Sequence, residues 1–166
     1  MKVIYSLLLV IYLIPCWLTA QTESWEKHKF RNYRLEFKTP PHWHVTVRDS
    51  TEKSYIECLS QDNQIYFFLT MAENEKKSTN EVILSYLKIA YGNADFIRDE
   101  QRKINNIDFM FTSGIAKLDE LQTFIKLGVG SHRKFIYMID SGYSQVNSDE
   151  ADQVLNTIIE SIRSVD

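Results

Sequence analysis

The sequence predicts an α/β protein, a three-layer α/β/α sandwich built on a central, mainly antiparallel sheet. First, positions 65–72 (IYFFLTMA) are apolar almost throughout, so a strand here needs cover on both faces. Second, two helical segments repeat their apolar residues at the same spacing, which gives each of them one apolar face. Third, long strand-like segments in the second half are joined by short turns, as antiparallel neighbours are. Two apolar helix faces and one two-sided sheet fit together as three layers.

Residues 1–20 have the features of a secretory signal peptide: a positive charge, an apolar run at 3–18 and the small residue Ala20 at the end. The apolar run is shorter than the ~20 residues that a membrane-spanning helix needs, and Pro15 would break its end. We therefore expect cleavage of this segment and export of a secreted or periplasmic protein. The alternatives are an uncleaved membrane anchor and lipid attachment through Cys16.

Length and composition place the remainder in the class of single globular domains. The 166-residue chain has 19 Lys and Arg against 22 Asp and Glu, a net charge of −3. A nucleic-acid-binding protein carries a concentrated basic patch, so nucleic acid is not expected as a partner. Cys58 is the last cysteine left after the signal peptide, which excludes an intrachain disulfide and favours a buried thiol. We expect a signal peptide at 1–20, an N-terminal arm at 21–32 and a single domain at 33–166.

The first part of the exported chain reads as an arm followed by three strands. The charged segment 21–32 is interpreted as either a short helix or a loose arm. Apolar and polar residues alternate over 33–38, which indicates a half-buried strand that the following Pro-Pro pair terminates. Alternation resumes over 43–48 as a second strand, and 55–59 forms a third strand before the apolar stretch.

The first helix is expected after a polar loop that ends near Ser78. Ser78 and Glu81 have the spacing of a capping box, in which each side chain bonds to the other residue's backbone N–H. Gly92 stands where a left-handed residue ends many helices. The apolar residues recur at intervals that place them on one helical face. They are Val82, Ile83, Tyr86, Leu87 and Ala90.

A block of strands follows the first helix. The charged segment 96–104 is predicted as an edge or hairpin strand, and Asn105-Asn106 supplies its turn. Two long strands, 107–118 and 121–130, come next with a short polar turn between them. A last buried strand at 135–139 follows a basic turn. Hairpin turns between consecutive strands predict antiparallel pairing.

The chain ends in a second amphipathic helix, where Asn147 and Glu150 have capping-box spacing. The two helices together should cover both faces of the sheet, so that Tyr66 and Phe68 are buried as well as their neighbours. Burying one large apolar side chain stabilises a fold by roughly 1.5–3 kcal/mol. The apolar residues of the second helix are Val154, Leu155, Ile158, Ile159 and Ile162.

Three stretches of sequence, in this order, resemble a known family. The first strand ends at a proline pair and a tryptophan (YRLEFKTPPHWHV), a late strand reads KFIYMID, and the closing helix ends in IIESIRS. Over about 33–164 this order resembles the PsbP-like group, which includes the extrinsic photosystem II protein, the bacterial lipoprotein DcrB and a Ran-binding nuclear-transport factor. The resemblance implies an α/β/α sandwich that serves an exported bacterial protein as a binding or assembly module. No ligand residues of the photosynthetic members match this chain, so a photosynthetic role is not implied.

His42, Trp43 and His44 are the first group of candidate site residues. On an extended strand His42 and His44 point to the same face, where two imidazoles bind zinc or copper if a third ligand such as Glu36 or Glu57 is near. The simpler interpretation is a pair of half-exposed histidines on the solvent side of an outer strand. Trp43 is interpreted as a core or rim residue, with a ligand platform as the alternative.

Basic side chains on the predicted edge strand are the second group of candidates. Arg98, Arg102 and Lys103 lie in the charged segment 98–103, and a basic turn follows at 132–134. Such side chains bind acidic partners or lipid headgroups. The simpler interpretation is that solvent surrounds them.

The sequence contains no recognisable catalytic motif, so we expect neither an enzyme nor a bound cofactor. Ser113-Gly114 and Ser141-Gly142 lack the G-x-S-x-G nucleophile elbow. The expected function is a non-enzymatic module that binds a protein or an envelope component, with membrane contact only if the N-terminal segment is retained. A metal-binding factor that uses His42 and His44 is the alternative.

Overall fold

A computed structural model describes residues 24–49, 53–74, 79–92, 94–118, 121–144 and 148–165, which form ten strands and two α-helices. The predicted signal peptide at 1–20 and the predicted caps Ser78 and Asn147 lie outside these ranges. Neither described helix is long and apolar enough to cross a membrane.

The strands are β1 (Glu26–Phe30), β2 (Leu35–Thr39), β3 (His44–Asp49), β4 (Lys53–Leu59), β5 (Ile65–Glu73), β6 (Asp95–Ile104), β7 (Ile107–Leu118), β8 (Leu121–His132), β9 (Phe135–Ser144) and β10 (Arg163–Ser164), and the helices are α1 (Asn80–Ala90) and α2 (Ser148–Glu160).

Within the described part of the chain, seven strands form a large sheet in the order β3-β4-β5-β9-β8-β7-β6. Every neighbouring pair in this sheet is antiparallel. Strands β6 to β9 form a meander whose last strand pairs with β5. The mainly antiparallel sheet and the two helices confirm the predicted α/β class. The apolar stretch at 65–72 is confirmed as an interior strand, β5.

Two-residue turns join β6 to β7 and β8 to β9. The first residue of each turn, Asn105 and Arg133, has a positive φ, 52° and 56° respectively. Two-residue hairpin turns that match the twist of the strands require positive φ, and asparagine adopts it readily. The predicted turn at Asn105-Asn106 is therefore confirmed.

A small sheet of three strands, in the order β1-β2-β10, stands beside the large one. The segment predicted as a short helix or a loose arm contains β1, which pairs with β2 from end to end. His28 and Phe30 of β1 point inward, with ring centroids 5.2 Å and 6.2 Å from that of Phe37. The prediction missed this strand because a histidine on the apolar face hides the alternation in EKHKF.

The two faces of the large sheet have different cover. Adjacent residues of a strand point to opposite faces, and on β8 Lys126 contacts α2 whereas Leu127 packs with Leu84 of α1. The two helices therefore lie on opposite faces. The small sheet joins α2, because Leu35 and Phe37 enter the same buried cluster as the apolar face of α2. The residues that α2 and the turn after it contribute to this cluster are Ala151, Leu155, Ile158, Ile159 and Ile162.

Helix α1 buries a different face from the predicted one. Leu84 is buried, and Ile83 and Leu87 are half-buried against the large sheet. Val82 and Tyr86, which the predicted face included, stay 47% and 68% exposed. Because apolar residues occupy most of the circumference of α1, periodicity alone did not select the stripe that meets the sheet.

The ends of α1 also differ from the prediction. Thr79 rather than Ser78 is the N-cap residue, and its hydroxyl accepts a hydrogen bond from the N–H of Val82 at 3.4 Å. The C-cap residue is Tyr91, with φ −112°, and Gly92 does not have a positive φ. The predicted left-handed glycine cap is wrong, because an i to i−3 hydrogen bond from the N–H of Tyr91 closes the last turn.

Strand β5 is completely covered on one face only. Phe67, Leu69 and Met71 are buried toward α2 and the small sheet. Tyr66 and Phe68 on the other face are half-buried, with ring centroids 5.1 Å apart. Helix α1 lies over β7 and β8, so the predicted burial of these two rings under a helix is only partial.

Two glycines of β8 make room for aromatic rings of β7. Gly128 pairs with Phe111, and Gly130 pairs with Phe109. A Cβ atom added to Gly128 would lie 2.4 Å from the Phe111 ring, and one added to Gly130 would lie 2.5 Å from the Phe109 ring. The missing side chains therefore let the two rings, with centroids 5.4 Å apart, lie flat on β8.

Candidate functional site

A groove of about 380 Å³ lies between α2 and the edge strand β6, on the face of the large sheet that α2 covers. Ligand sites in proteins typically have volumes of about 300–1,000 Å³. Helix α2 lies over β9, and the groove runs beside it over β7 and β8 toward β6. The groove therefore has one wall on β6, one wall on α2 and a floor on the strands between them.

The wall on β6 consists of Arg98, Glu100 and Arg102, which alternate with residues of the opposite face. The Glu100 carboxylate forms ion pairs with both arginines, at 3.1 Å from Arg98 and 2.5 Å from Arg102. Arg102 also lies 3.9 Å from Glu160 on α2, which narrows one end of the groove. Its guanidinium stands 5.6 Å from the centroid of the Phe111 ring, within the range of a cation–π contact.

Lys126 connects the floor to the wall on α2. Only 9% of this residue is exposed. Its Nζ donates to Asn156 Oδ1 at 2.8 Å and lies 3.5 Å from Asp152 Oδ1. Asn156 Nδ2 in turn donates to Asp152 Oδ2 at 2.8 Å. A buried ammonium needs partners of this kind, so the three side chains act as a polar link between β8 and α2.

Two stacked aromatic rings form another part of the floor. Phe124 of β8 and Tyr143 of β9 are cross-strand partners whose stacked rings have centroids 5.1 Å apart. Burial raises the pKa of Tyr143, and the charges of Asp152 and Asp149 raise it further. The hydroxyl is therefore neutral at physiological pH and available as a hydrogen-bond donor.

The groove thus presents charges of both signs over an aromatic floor. The Arg98 side chain is 71% exposed, so the N–H groups of its guanidinium that do not bind Glu100 face the opening of the groove. Asp149, in the first turn of α2, lines the same opening. This arrangement is suited to a charged segment of a protein or to a dipolar small molecule, both of which are held by paired charges.

The structure brings together two of the three basic candidates. Arg98 and Arg102 share the groove, whereas Lys103 points to the other face of β6 and lies 3.8 Å from Asp108. Glu100 and Lys126 were not among the predicted site residues. The available signal for Lys126 was its position as a lone charge inside the otherwise apolar strand FIKLGVG.

The histidine candidates do not share a strand. His42 lies in a turn with φ 67°, and β3 begins only at His44. The prediction that both imidazoles point to one face of an extended strand is therefore wrong, because the Pro-Pro pair delays the strand. Trp43 packs, partly buried, against the main core. Across the described ranges no group of three or more His, Cys, Asp or Glu is placed to hold a metal ion, and the suggested ligand Glu36 is already ion-paired in the small sheet.

A second polar cluster lies under the C-terminal end of α1. The Tyr91 hydroxyl donates to Asp140 Oδ2 at 2.7 Å. Burial raises the pKa of Asp140, and the hydrogen bond from Tyr91 opposes this effect. Asp140 Oδ1 and the Tyr66 hydroxyl are buried without a hydrogen-bond partner among the described residues. A carboxyl group in these surroundings binds its proton more tightly than an exposed one.

Comparison with models of protein families and with curated proteins finds no match for this chain. Solved structures do match. Cyanobacterial PsbP (CyanoP) from Synechocystis sp. PCC 6803 has a TM-score of 0.67 at 11% identity, over 88% of this chain and 95% of that one. LpqN, involved in cell envelope biogenesis of Mycobacterium tuberculosis, has a TM-score of 0.58 at 9% identity, over 88% of both chains. A protein of Bacteroides thetaiotaomicron VPI-5482 has a TM-score of 0.55 at 11% identity, over 85% of this chain and 48% of that one. The chain therefore has the PsbP-like fold that the sequence resemblance predicted.

Proposed function

We propose that this protein is an exported, non-enzymatic module that binds a protein or another component of the cell envelope through the groove between α2 and β6. The proposal takes residues 1–20 as a signal peptide that directs export to the periplasm or the exterior. It treats the chain as a three-layer sandwich of α1, the large sheet, and α2 with the small sheet. The placement of Arg98 and Arg102 in one open groove carries the proposal.

The structural neighbours support an envelope role. CyanoP and LpqN share the fold over most of their length, and LpqN is described as involved in cell envelope biogenesis. A fold shared at such low identity does not transfer a partner, and function lies in the site. The partner must therefore be sought through the groove itself.

The chemistry of the groove suits a protein segment. Arginine and aromatic residues are enriched among the side chains that dominate binding energy at interfaces. Here Arg102 lies over the Phe111 ring, and Arg98 lines the same groove as the stacked rings of Phe124 and Tyr143. An acidic side chain of a partner can pair with Arg98, and an adjacent basic side chain can pair with Asp149.

Site-specific crosslinking tests the proposal. A photoreactive residue placed at position 98 or 102 in the chain expressed in its own cells should capture a discrete partner. The same residue at position 103 is the matched control, because Lys103 lies on the same strand but points away from the groove. The Arg98→Glu/Arg102→Glu variant should weaken binding of the captured partner at least about tenfold, since charge pairs become repulsive.

Two outcomes would contradict the proposal. One is equal crosslinking from positions 98 and 103, which would indicate contacts unrelated to the groove. The other is a captured partner that binds Arg98→Glu/Arg102→Glu, the control Lys103→Glu and the parent chain with the same affinity.

A further inference from the structure

The small sheet turns a row of basic side chains away from the core. On β1, His28 and Phe30 pack against Phe37, so Lys27 and Lys29 point outward. Lys38 follows on β2, and Arg163 comes from β10 on its other side. Arg31 and Arg34 stand in the connection between β1 and β2. We refer to this surface as the basic face; it consists of Lys27, Lys29, Arg31, Arg34, Lys38 and Arg163.

The carboxylate at the centre of the basic face is hidden beneath its cations. Glu36 is only 2% exposed. Its oxygens lie 2.8 Å from Lys27 Nζ and 3.7 Å from Lys29 Nζ, and one of them accepts a hydrogen bond from Arg163 Nε. The single buried charge neutralises part of this cluster, and the solvent meets the outer, positive side.

The other cations of the face are available to a partner. Arg31, Arg34 and Lys38 are exposed, and none of them forms an ion pair with another residue in the described ranges. Glu26 lies at the start of β1, and Glu160, at the end of α2, lines a separate concavity beside Lys27, Lys38 and Arg163. In a chain with more acidic than basic residues, this concentration of positive charge creates a local field of the opposite sign.

A concavity on the basic face indicates which kind of anion it suits. It has a volume of about 290 Å³, and Lys29, Arg31 and Arg34 surround it. Its remaining lining is apolar, from Phe30, Leu35 and Val165. Cations around an apolar floor match a phosphate joined to a hydrocarbon chain better than they match a bare phosphate or a nucleic-acid backbone.

We infer that the basic face docks the protein on anionic phospholipid headgroups. This surface is separate from the groove of the proposed function, which lies at β6 on the large sheet. The strand β1 that carries Lys27 and Lys29 is also the first described element after the apolar run at 3–18. The face is therefore near the part of the sequence that first meets a membrane during export.

Vesicle binding tests the inference with the purified exported chain. One set of vesicles consists of phosphatidylcholine, and the other contains about one third phosphatidylglycerol. The protein should sediment with the anionic vesicles only, and binding should decline as salt rises from about 0.05 to 0.5 M, because salt screens the contact. Any apolar contribution of an uncleaved N-terminus would appear equally in both sets.

Matched charge variants identify the surface. Arg31→Gln/Arg34→Gln removes two exposed cations that take no part in the Glu36 cluster, and it should weaken binding to anionic vesicles about tenfold or more. Arg48→Gln/Lys103→Gln removes the same charge elsewhere and should change binding less than about twofold. Thermal unfolding of each variant establishes that it is folded.

Three results would overturn the inference. Equal binding to both kinds of vesicle would show that charge does not direct the contact. An equal loss in the two double variants would show that net charge, and not the basic face, is responsible. Binding to lipid-free RNA or heparin as tight as binding to the anionic vesicles would assign the face to polyanions in general. Crosslinking from position 98 is independent of all three results, so the two proposals fail separately.

Discussion

The Glu36 carboxylate on β2 accepts a hydrogen bond from the guanidinium of Arg163, which follows it by 127 positions. Lys27 on β1 binds the same carboxylate from the other side. One buried anion thus holds together the first, second and last strands of the described chain. These strands form the small sheet, so Glu36 connects the beginning of the fold to its end.

Removing this charge should loosen the small sheet. Burial disfavours the ionised form of Glu36, but hydrogen bonds and charges from Lys27 and Arg163 outweigh it, so the pKa is lowered from its ordinary 4.5. A lowered folded-state pKa stabilises the fold above that value, and the stabilisation is lost as the pH falls through the folded-state pKa. Glu36→Gln should lower the free energy of unfolding by about 1.5–3 kcal/mol at neutral pH.

Urea unfolding of Glu36→Gln at about pH 7 and about pH 3 tests this prediction. The free energy of unfolding of Glu36→Gln should fall well below that of the parent chain at the higher pH and only slightly below it at the lower pH. Glu26→Gln, on the exposed end of β1, is the control and should change stability by less than about 0.5 kcal/mol. A Glu36→Gln variant as stable as the parent chain at neutral pH would contradict the stabilising role of the Glu36 carboxylate.

Gly128 should not tolerate a side chain. Gly128→Ala places a Cβ 2.4 Å from the Phe111 ring, which must move. Overpacking of this kind typically costs about 1–3 kcal/mol. Gly92→Ala is a matched control, because its Cβ would meet only the Ile89 carbonyl at an ordinary 3.5 Å and its φ is not positive.

Thermal and urea unfolding compare the two alanine variants. Adding Phe111→Leu to Gly128→Ala should recover part of the loss, because the smaller side chain vacates the site of the new Cβ. The coupling in that double-mutant cycle measures the contact directly. Equal stability of Gly128→Ala and Gly92→Ala would show that the ring moves without cost.

The sequence predicts the large sheet better than the small one. Alternation and a turn at Asn105-Asn106 define the meander, because hairpin contacts are local. The small sheet depends in part on pairing between Leu35 and Ser164 at opposite ends of the chain, and local patterns carry no signal for that pairing. The packing of α1 was predicted incorrectly for a related reason. Apolar residues surround that helix, and only the sheet decides that Leu84 rather than Tyr86 is buried.

The candidate site shows the same division. Alternation along β6 gives Arg98 and Arg102 one common face, so their shared location follows from the sequence. Lys126 joins them only because β8 lies one strand beyond β7 and its side chain reaches Asn156 of α2 at the edge of the groove. The basic face was missed because Arg163 reaches the N-terminal lysines through the fold and not through the sequence.

Lys126 should anchor α2 to the large sheet. Lys126→Met keeps most of the side-chain volume but removes the donor to Asn156 and the charge beside Asp152. Loss of a hydrogen bond from a charged group lowers the free energy of unfolding by about 1.5–3 kcal/mol. Because Asp152 is partly hydrated, we expect a loss near the lower end of this range. Amide hydrogen exchange in Lys126→Met should accelerate more in α2 than in α1.

Lys103→Met is the control for this substitution, since its exposed side chain should contribute less than about 0.5 kcal/mol. Urea unfolding and amide exchange of both variants provide the measurement. Unchanged exchange in α2 of Lys126→Met would show that apolar packing alone fixes the helix.

Cys58 should be inert in the folded protein. It is completely buried on β4. Burial, together with the charge of Glu57, raises the pKa of its thiol to about 12. The thiolate is the reactive form, so a thiol reagent at about pH 8 should label the protein only as fast as it unfolds. A Cys16→Ser background ensures that Cys58 alone is measured. Rapid labelling without denaturant would contradict the buried position.

Asp140 should weaken the fold as it ionises. Burial raises its pKa above the ordinary 3.8, and the Tyr91 hydrogen bond compensates only in part. For an acid with a raised folded-state pKa, the contribution to stability is complete below 3.8 and is lost as the pH rises through the folded-state value. Asp140→Asn retains an acceptor for Tyr91 without the charge, and should stabilise the protein by about 1 kcal/mol at neutral pH.

Urea unfolding of Asp140→Asn and Tyr91→Phe between about pH 3 and pH 7 separates charge from hydrogen bonding. The stabilisation of Asp140→Asn should vanish at the acid end, where the parent carboxyl is already neutral. Tyr91→Phe should have the opposite effect at neutral pH, because it removes the hydroxyl that donates to Asp140 Oδ2 at 2.7 Å. If Asp140→Asn is less stable than the parent at every pH, the ionised carboxylate stabilises this cluster, and burial is not the dominant influence on it.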